Sequence, residues 1–224
     1  MLKIEKTVLP SPEQWEIIIE GMRNPMNSWD KMDSHLEPVE NGNVFVREDF
    51  VLGRNDHKLM VNLADGGAVH AKYRRMIPVF LTINAPLYWF KEFDTYKVGT
   101  VCNSCSTMHK IHSKEFTLDD FSRERLSCID IGGGVGSPYE ELRRTVRMLN
   151  ECRELYLRTK DNEYWWQMIQ LLPTSYNQKR TVMLNYEVLT NIYHSRKDHK
   201  LDEWRIFCDW IRGLPYSELI TGGE

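Results

Sequence analysis

The sequence lacks the features that mark several classes of protein. Its 29 Lys and Arg residues are outnumbered by 32 Asp and Glu residues, so there is no basic excess of the kind that nucleic-acid-binding proteins carry. No run approaches the roughly 20 apolar residues of a membrane-spanning helix, and the first residues lack the apolar core of a secretory signal. We therefore expect a cytoplasmic protein that binds neither nucleic acid nor a membrane.

Cysteine is also scarce, and the five cysteines are unevenly spaced. An odd number without a secretory signal favours free thiols in a reducing compartment. Four possible zinc ligands lie close together in the sequence: Cys102, Cys105, His109 and His112. Structural zinc sites separate their two ligand pairs by a longer loop, so we expect thiols in a polar loop and no metal. A zinc-binding module remains an alternative.

The residues that are present suit one globular domain. The chain has 224 residues, of which 42% are hydrophobic and 11% aromatic, enough for a packed core and unlike a disordered chain or a fibre. No repeat, low-complexity tract or linker-like run divides it. We therefore predict a single domain over residues 1–224.

Helix signals outnumber strand signals along the chain. Caps and apolar spacing predict helices that begin near Ser11, at Asn55 or Asp56, after Pro86 and at Ser137, one that closes at Pro173, and two near residues 182–193 and 204–211. Alternation predicts strands at residues 44–52 and 76–84, and residues 98–114 are interpreted as a long ordered loop. The sequence thus predicts an α+β fold with helices in the majority.

A glycine-rich segment at residues 129–137 follows a short apolar run and precedes a helix start. Glycine lets backbone N–H groups approach phosphate oxygens, so such a turn can bind phosphate. No Lys follows the last glycine, and the strand-helix-strand context is missing. A connection before a helix is therefore the favoured interpretation. No Ser-His-Asp or His-Glu-x-x-His pattern suggests a catalytic site elsewhere.

Three segments of the chain keep a characteristic order and spacing. Residues 69–88 hold a Val-His pair, a strand and an Ala-Pro-Leu-Tyr step into a helix, and residues 91–108 form the next helix and loop. Residues 171–196 hold Leu-Pro, then Asn-x-Glu-x-Leu, then a later Arg. Together these segments, roughly residues 55–215, resemble the flavin-dependent thymidylate synthase family.

The segment at the family signature departs from the family pattern of Arg-His-Arg, seven residues, then Ser. By register from Ala85-Pro86, Thr95-Tyr96-Lys97 stands at Arg-His-Arg and Cys105 at the Ser. The later Arg of the motif falls on Thr107, and the Arg of Asn-x-Arg falls on Glu187. Lysine does not reproduce the planar fork of arginine, so the resemblance implies either a rebuilt site or a changed substrate.

The resemblance implies an α+β fold of the flavin-dependent thymidylate synthase type, helix-rich with an antiparallel or mixed sheet. It also implies a homotetramer that binds FAD and dUMP. Such an enzyme moves a methylene group from methylenetetrahydrofolate to the uracil and reduces it with a flavin hydride supplied by NADPH. Two alternatives stay open: an enzyme of the same fold that modifies another pyrimidine nucleotide, and a non-catalytic homologue that has lost flavin binding.

The resemblance further implies roles for individual residues. The implied cofactor-binding residues are His70, Lys97, Asn103 and Asn185. The implied substrate-binding residues are Lys91, Ser104, Cys105 and Arg196. Cys105, at the position of the family's Ser, is the implied catalytic residue, because its thiol can polarise the pyrimidine, although a thiol is a weaker hydrogen-bond donor than a hydroxyl.

Overall fold

The computed structural model describes residues 1–42 and 44–223, and it divides the chain into two compact units. Unit 1 consists of Met1–Glu5, Thr82–Thr95 and Asn103–Thr181. Unit 2 consists of Lys6–Leu81, Tyr96–Cys102 and Val182–Glu224. The single domain over residues 1–224 stays a prediction.

Helices outnumber strands in the described part of the chain. The α-helices are α1 (Pro12–Arg23), α2 (Arg54–Asp65), α3 (Leu87–Phe93), α4 (Pro138–Thr159), α5 (Asn162–Leu171), α6 (Tyr186–Arg196), α7 (Asp202–Arg212) and α8 (Glu218–Thr221). The strands are β1 (Lys3–Val8), β2 (His35–Asn41), β3 (Val44–Val51), β4 (Pro78–Pro86), β5 (Val101–Ser104) and β6 (Asn177–Asn185). The α+β, helix-rich prediction is confirmed.

The strands form a four-stranded sheet in the order β1-β4-β6-β5 and a separate antiparallel hairpin of β2 and β3. The alternation predicted for β4 is confirmed, since Val79, Leu81 and Ile83 are buried whereas Phe80 is 47% exposed. The short strand β5 lies at one edge of the sheet beside β6, and the chain from β5 leads directly to Cys105.

Two helix starts that depend on local capping are confirmed. Ser11 caps α1 in a capping box, because the Gln14 backbone N–H donates to the Ser11 hydroxyl and the Ser11 N–H donates to the Gln14 side chain. Ser137 caps α4, where its hydroxyl accepts from the Glu140 N–H at 3.2 Å. These donors and acceptors lie within three residues of one another, so the sequence alone reveals them.

The predicted start of α2 is wrong, because neither Asn55 nor Asp56 caps it. The helix begins at Arg54, and the carboxylate of Asp33 accepts from the backbone N–H groups of Asn55 at 2.9 Å and Asp56 at 3.0 Å. A Cβ at Gly53 would lie 2.2 Å from this carboxylate, so the approach requires glycine. The cap of α2 therefore comes from a residue far away in the sequence.

Two other predictions need correction. The helix predicted over residues 182–193 begins only at Tyr186, since Val182 and Leu184 are buried at alternating positions of β6. The loop predicted over residues 98–114 contains β5 and a short 3₁₀ turn at Ile111–Ser113. The first error arises because apolar spacing over a few residues fits a helix and a strand equally well, whereas β5 is a short, exposed and largely polar strand without an apolar alternation to reveal it.

Each unit has its own buried residues. The core of unit 1 lies between α4, α5 and the segment from Ile111 to Phe121, and it consists of Ile111, Phe116, Phe121, Leu142, Val146, Leu149, Cys152, Met168 and Tyr176. In unit 2, Trp15 of α1 meets Tyr186 of α6 edge to face, with ring centroids 6.4 Å apart. Within residues 1–42 and 44–223, no helix is both long enough and apolar enough to cross a membrane.

Candidate functional site

The site residues implied by the resemblance fall into both units. Unit 1 holds Lys91, Asn103, Ser104 and Cys105, and unit 2 holds His70, Lys97, Asn185 and Arg196.

In unit 1, two backbone contacts fix Cys105. Its N–H donates to the carbonyl of Lys179 at 2.9 Å, and its carbonyl accepts from the side-chain amide of Gln178 at 2.9 Å. Cys105 itself is exposed, as are Asn103 and Ser104 on β5. The structure therefore presents a short polar segment, with a thiol at its end, along the edge of the sheet. Lys91 is exposed on α3.

All five cysteines carry free thiols, as predicted, but their surroundings differ. Burial raises the pKa of Cys208 to about 11, so this thiol stays protonated at neutral pH. Burial also raises the pKa of Cys152. Of the residues implied by the resemblance, Cys105 thus combines a thiol with an exposed position and a fixed backbone.

The zinc alternative gains no support from the described residues. Within residues 1–42 and 44–223, no group of three or more His, Cys, Asp and Glu side chains is placed to hold a metal ion. His112 instead packs edge to face against Tyr156, with ring centroids 4.8 Å apart.

The glycine-rich segment of unit 1 binds one of its own carboxylates. Gly132, Gly133 and Gly134 all have positive φ angles, and the Gly132 N–H donates to the Asp130 carboxylate at 2.7 Å. A carboxylate in this turn repels a phosphate group. The interpretation of the segment as a connection before α4 agrees with this geometry.

In unit 2, Arg196 is oriented by two aromatic residues. It ends α6, and its Nε donates to the Tyr96 hydroxyl at 2.9 Å. Its guanidinium carbon lies 4.8 Å from the centroid of the Trp204 ring, within cation–π range. Tyr96 and Trp204 were not among the predicted site residues. Tyr96 could have been found, because it lies in the segment that the resemblance aligns with Arg-His-Arg.

The loop that carries Lys97 packs against the start of α6. Asn185 caps this helix by accepting from the Val188 N–H at 3.0 Å. Gly99 has a φ of +79°, and a Cβ there would lie 3.2 Å from the Asn185 side-chain nitrogen and 3.1 Å from the Val188 side chain. The structure therefore brings the loop of Lys97, itself exposed, next to Asn185.

His70 lines a cleft of about 370 Å³ in unit 2. The cleft has apolar walls, formed by residues such as Met22, Leu63 and Tyr73, and His70 and Lys72 provide polar groups. Such a cleft suits a planar ring system with a polar edge, because the ring stacks on apolar walls and the edge meets hydrogen-bond donors. Lys72 was not predicted, although it lies two residues from His70.

Glu187, which the resemblance aligns with an Arg of the family motif, belongs to an interior ion pair. Its Oε2 lies 3.0 Å from Nη2 of Arg74, and the two side chains are only 13% and 7% exposed. Arg74 also donates from Nη1 to the carbonyl of Leu219 at 3.0 Å. Glu187 therefore links segments within unit 2 and is not presented to a ligand.

Comparison with known proteins finds a likeness in fold and no match by sequence. The chain matches no family model and no curated protein. Thymidylate synthase X from Helicobacter pylori, with FAD and dUMP, superposes with a TM-score of 0.61 at 14% identity, covering 98% of this chain and 95% of that one. A second structure of that enzyme with FAD and dUMP gives the same TM-score and identity, over 98% and 96% of the two chains.

A third solved structure has a related description. UMP/dUMP methylase PolB from Streptomyces cacaoi, bound with 5-Br dUMP, superposes with a TM-score of 0.57 at 14% identity, over 99% of this chain and 94% of that one. At this level of identity the likeness concerns the fold. The chain therefore has the fold of the flavin-dependent thymidylate synthases, as its sequence led us to expect.

Proposed function

We propose that this chain is an FAD-dependent enzyme that methylates dUMP, with methylenetetrahydrofolate as the one-carbon donor and NADPH as the reductant. The observation that carries the proposal is the superposition of 98% of the chain on an enzyme structure that holds FAD and dUMP. A homotetramer in the cytoplasm is part of the same proposal.

The cleft at His70 supports the proposed flavin. Its apolar walls and its two polar side chains fit a flat ring with hydrogen-bonding edges better than they fit a metal ion or a bare phosphate. His70 would contact FAD in this cleft, and the resemblance adds Lys97, Asn103 and Asn185 as proposed cofactor-binding residues. FAD supplies hydride chemistry when bound. The protein would then contribute orientation and charge more than a nucleophile.

The surroundings of Arg196 and of the Cys105 segment support the proposal that the chain binds a nucleotide. Tyr96 and Trp204 orient the guanidinium of Arg196, and such an oriented fork suits an anionic nucleotide group. Within unit 1, Ser104 and Lys91 would supply a hydroxyl and a charge for nucleotide binding. Cys105 would donate a hydrogen bond from its thiol to the pyrimidine and so polarise it.

UMP is a second candidate substrate. The superposition on a UMP/dUMP methylase covers 99% of this chain, which favours testing a ribonucleotide beside dUMP. Turnover with UMP and none with dUMP would assign the enzyme to another pyrimidine nucleotide.

The visible absorption spectrum of the purified protein tests the proposal. We expect a flavin spectrum after addition of FAD, and a further spectral shift after addition of dUMP. His70→Ala should weaken FAD binding at least fivefold, whereas His35→Ala, which removes an exposed histidine of β2 outside the cleft, should leave it unchanged. A colourless protein that ignores FAD would contradict the proposal and support the non-catalytic homologue.

A further inference from the structure

A chain of side-chain contacts within unit 1 ends at the backbone of Cys105. Asp94, at the end of α3, accepts from Nη1 of Arg180 at 2.6 Å. Arg180 donates from Nε to the side-chain oxygen of Gln178 at 2.8 Å, and Gln178 donates from its side-chain nitrogen to the Cys105 carbonyl at 2.9 Å. Three side chains thus connect the end of α3 with the segment that carries the thiol.

The two middle members of this series of contacts, Arg180 and Gln178, are held firmly in place. Gln178 is buried, with 5% of its surface exposed, and the Arg180 side chain is 13% exposed. The guanidinium carbon of Arg180 lies 3.9 Å from the centroid of the Phe90 ring, which restricts its movement. Gln178 therefore sits in a rigid setting beside an exposed segment.

The neighbours of Gln178 permit only one orientation of its amide group. Its oxygen faces a guanidinium N–H, which is a donor, and its nitrogen faces a carbonyl, which is an acceptor. A flipped amide would place donor against donor at Arg180 and acceptor against acceptor at Cys105. Arg180 therefore determines which way Gln178 presents its donor.

We propose that Gln178 is a positioning residue for the nucleotide site, because its amide, oriented by Arg180 and Asp94, holds the Cys105 carbonyl and so fixes where the thiol points. The nucleotide part of this inference rests on the function proposed above. The effect of Gln178 on Cys105 does not rest on that function, so either part of the inference can fail without the other.

Gln178→Glu is the discriminating variant. A glutamate keeps the acceptor for Arg180 but loses the donor, and its oxygen repels the Cys105 carbonyl. Peptide mass spectrometry measures the rates at which iodoacetamide alkylates Cys105 and Cys128. We expect the ratio of these two rates to differ at least twofold between Gln178→Glu and the wild type. Cys128 is an exposed thiol elsewhere in unit 1 and serves as the internal reference.

Lys179→Ala is the matched control. Lys179 lies next to Gln178 on β6, but its side chain forms an exposed ion pair with Glu5 at 2.7 Å, while its backbone carbonyl still binds the Cys105 N–H. In this variant, the ratio of the alkylation rates of Cys105 and Cys128 should stay within twofold of the wild-type ratio. If Gln178→Glu does not fold, Gln178→Met, which has a similar shape and no donor, replaces it under the same criterion.

Each outcome decides one part of the inference. A ratio that changes less than twofold in the folded Gln178 variant overturns the positioning role. If the wild type methylates dUMP or UMP, the variant should also raise KM for the nucleotide at least fivefold with a smaller change in kcat. An unchanged KM would overturn the link to the nucleotide site, whereas a wild type without turnover would contradict only the proposed function.

Discussion

At the residue scale, two positions matched to the same family motif have opposite surroundings. Arg196 is oriented by an aromatic ring and a phenol, on the last turn of a helix. Glu187 is mostly buried and paired with Arg74, so an Arg at this position would meet another Arg. Glu187 is therefore engaged in an ion pair inside unit 2, which makes Arg196 the better candidate for binding an anion.

Arg196→Ala should weaken dUMP binding by about 2 kcal/mol, roughly 30-fold, because it removes one partner of a charge-assisted pair. Isothermal titration calorimetry measures this change. Tyr96→Phe is the control, since it removes only the hydroxyl that accepts from Arg196 and should cost less affinity. An unchanged affinity for dUMP in Arg196→Ala would contradict the proposal that this residue binds the nucleotide.

At the element scale, α2 depends on a carboxylate from outside the helix. Asp33 accepts from two backbone N–H groups of the first turn, which otherwise have no partner within the helix. The close approach of Gly53 to the same carboxylate shows how tightly the preceding segment is packed there.

Asp33→Ala should lower the free energy of unfolding by about 1–2 kcal/mol, as expected for the loss of a helix cap. Urea denaturation monitored by circular dichroism measures the loss. The control is Asp30→Ala, an exposed aspartate nearby, which should change the free energy of unfolding by no more than about 0.5 kcal/mol. Equal effects of the two substitutions would show that Asp33 does not cap α2.

At the scale of the whole molecule, stability should depend on acidic pH. Burial raises the pKa of Asp33, but the N–H groups of Asn55 and Asp56 and the charge of Arg23 outweigh it, so the pKa lies below its ordinary value of 3.8. Burial likewise raises the pKa of Asp120, and Lys114 and Thr117 lower it by more. Both carboxylates therefore stabilise the fold when they are ionised.

A carboxylate whose pKa is lowered by folding contributes its full stabilisation above its ordinary pKa and loses it as the pH falls through the lowered value. We expect the midpoint of urea unfolding to be steady near neutral pH and to fall below about pH 4. Asp33→Asn should make the fall less steep. A midpoint in this variant that follows the wild type over the whole range would contradict the role of Asp33.

The sequence by itself determined the elements whose signals are local. The cap at Ser11, the cap at Ser137 and the alternation of β4 are each complete within a few neighbouring residues. Backbone geometry restricts such contacts to residues three or four apart in a helix and two apart in a strand. The order of three segments along the chain also led to the correct fold, since segment order reflects topology more than the identity of any single residue.

Only the tertiary structure decided the contacts between distant parts of the chain. Arg196 meets Tyr96 across 100 residues of sequence, Gln178 meets Cys105 across 73, and Asp33 reaches the start of α2 from 22 residues away. No local pattern encodes these pairs, because a hydrogen bond between distant side chains depends on where packing of the core places their backbones. Elements with local caps or a clear alternation follow from local sequence, whereas the cap of α2 and the orientation of the site residues follow from the fold.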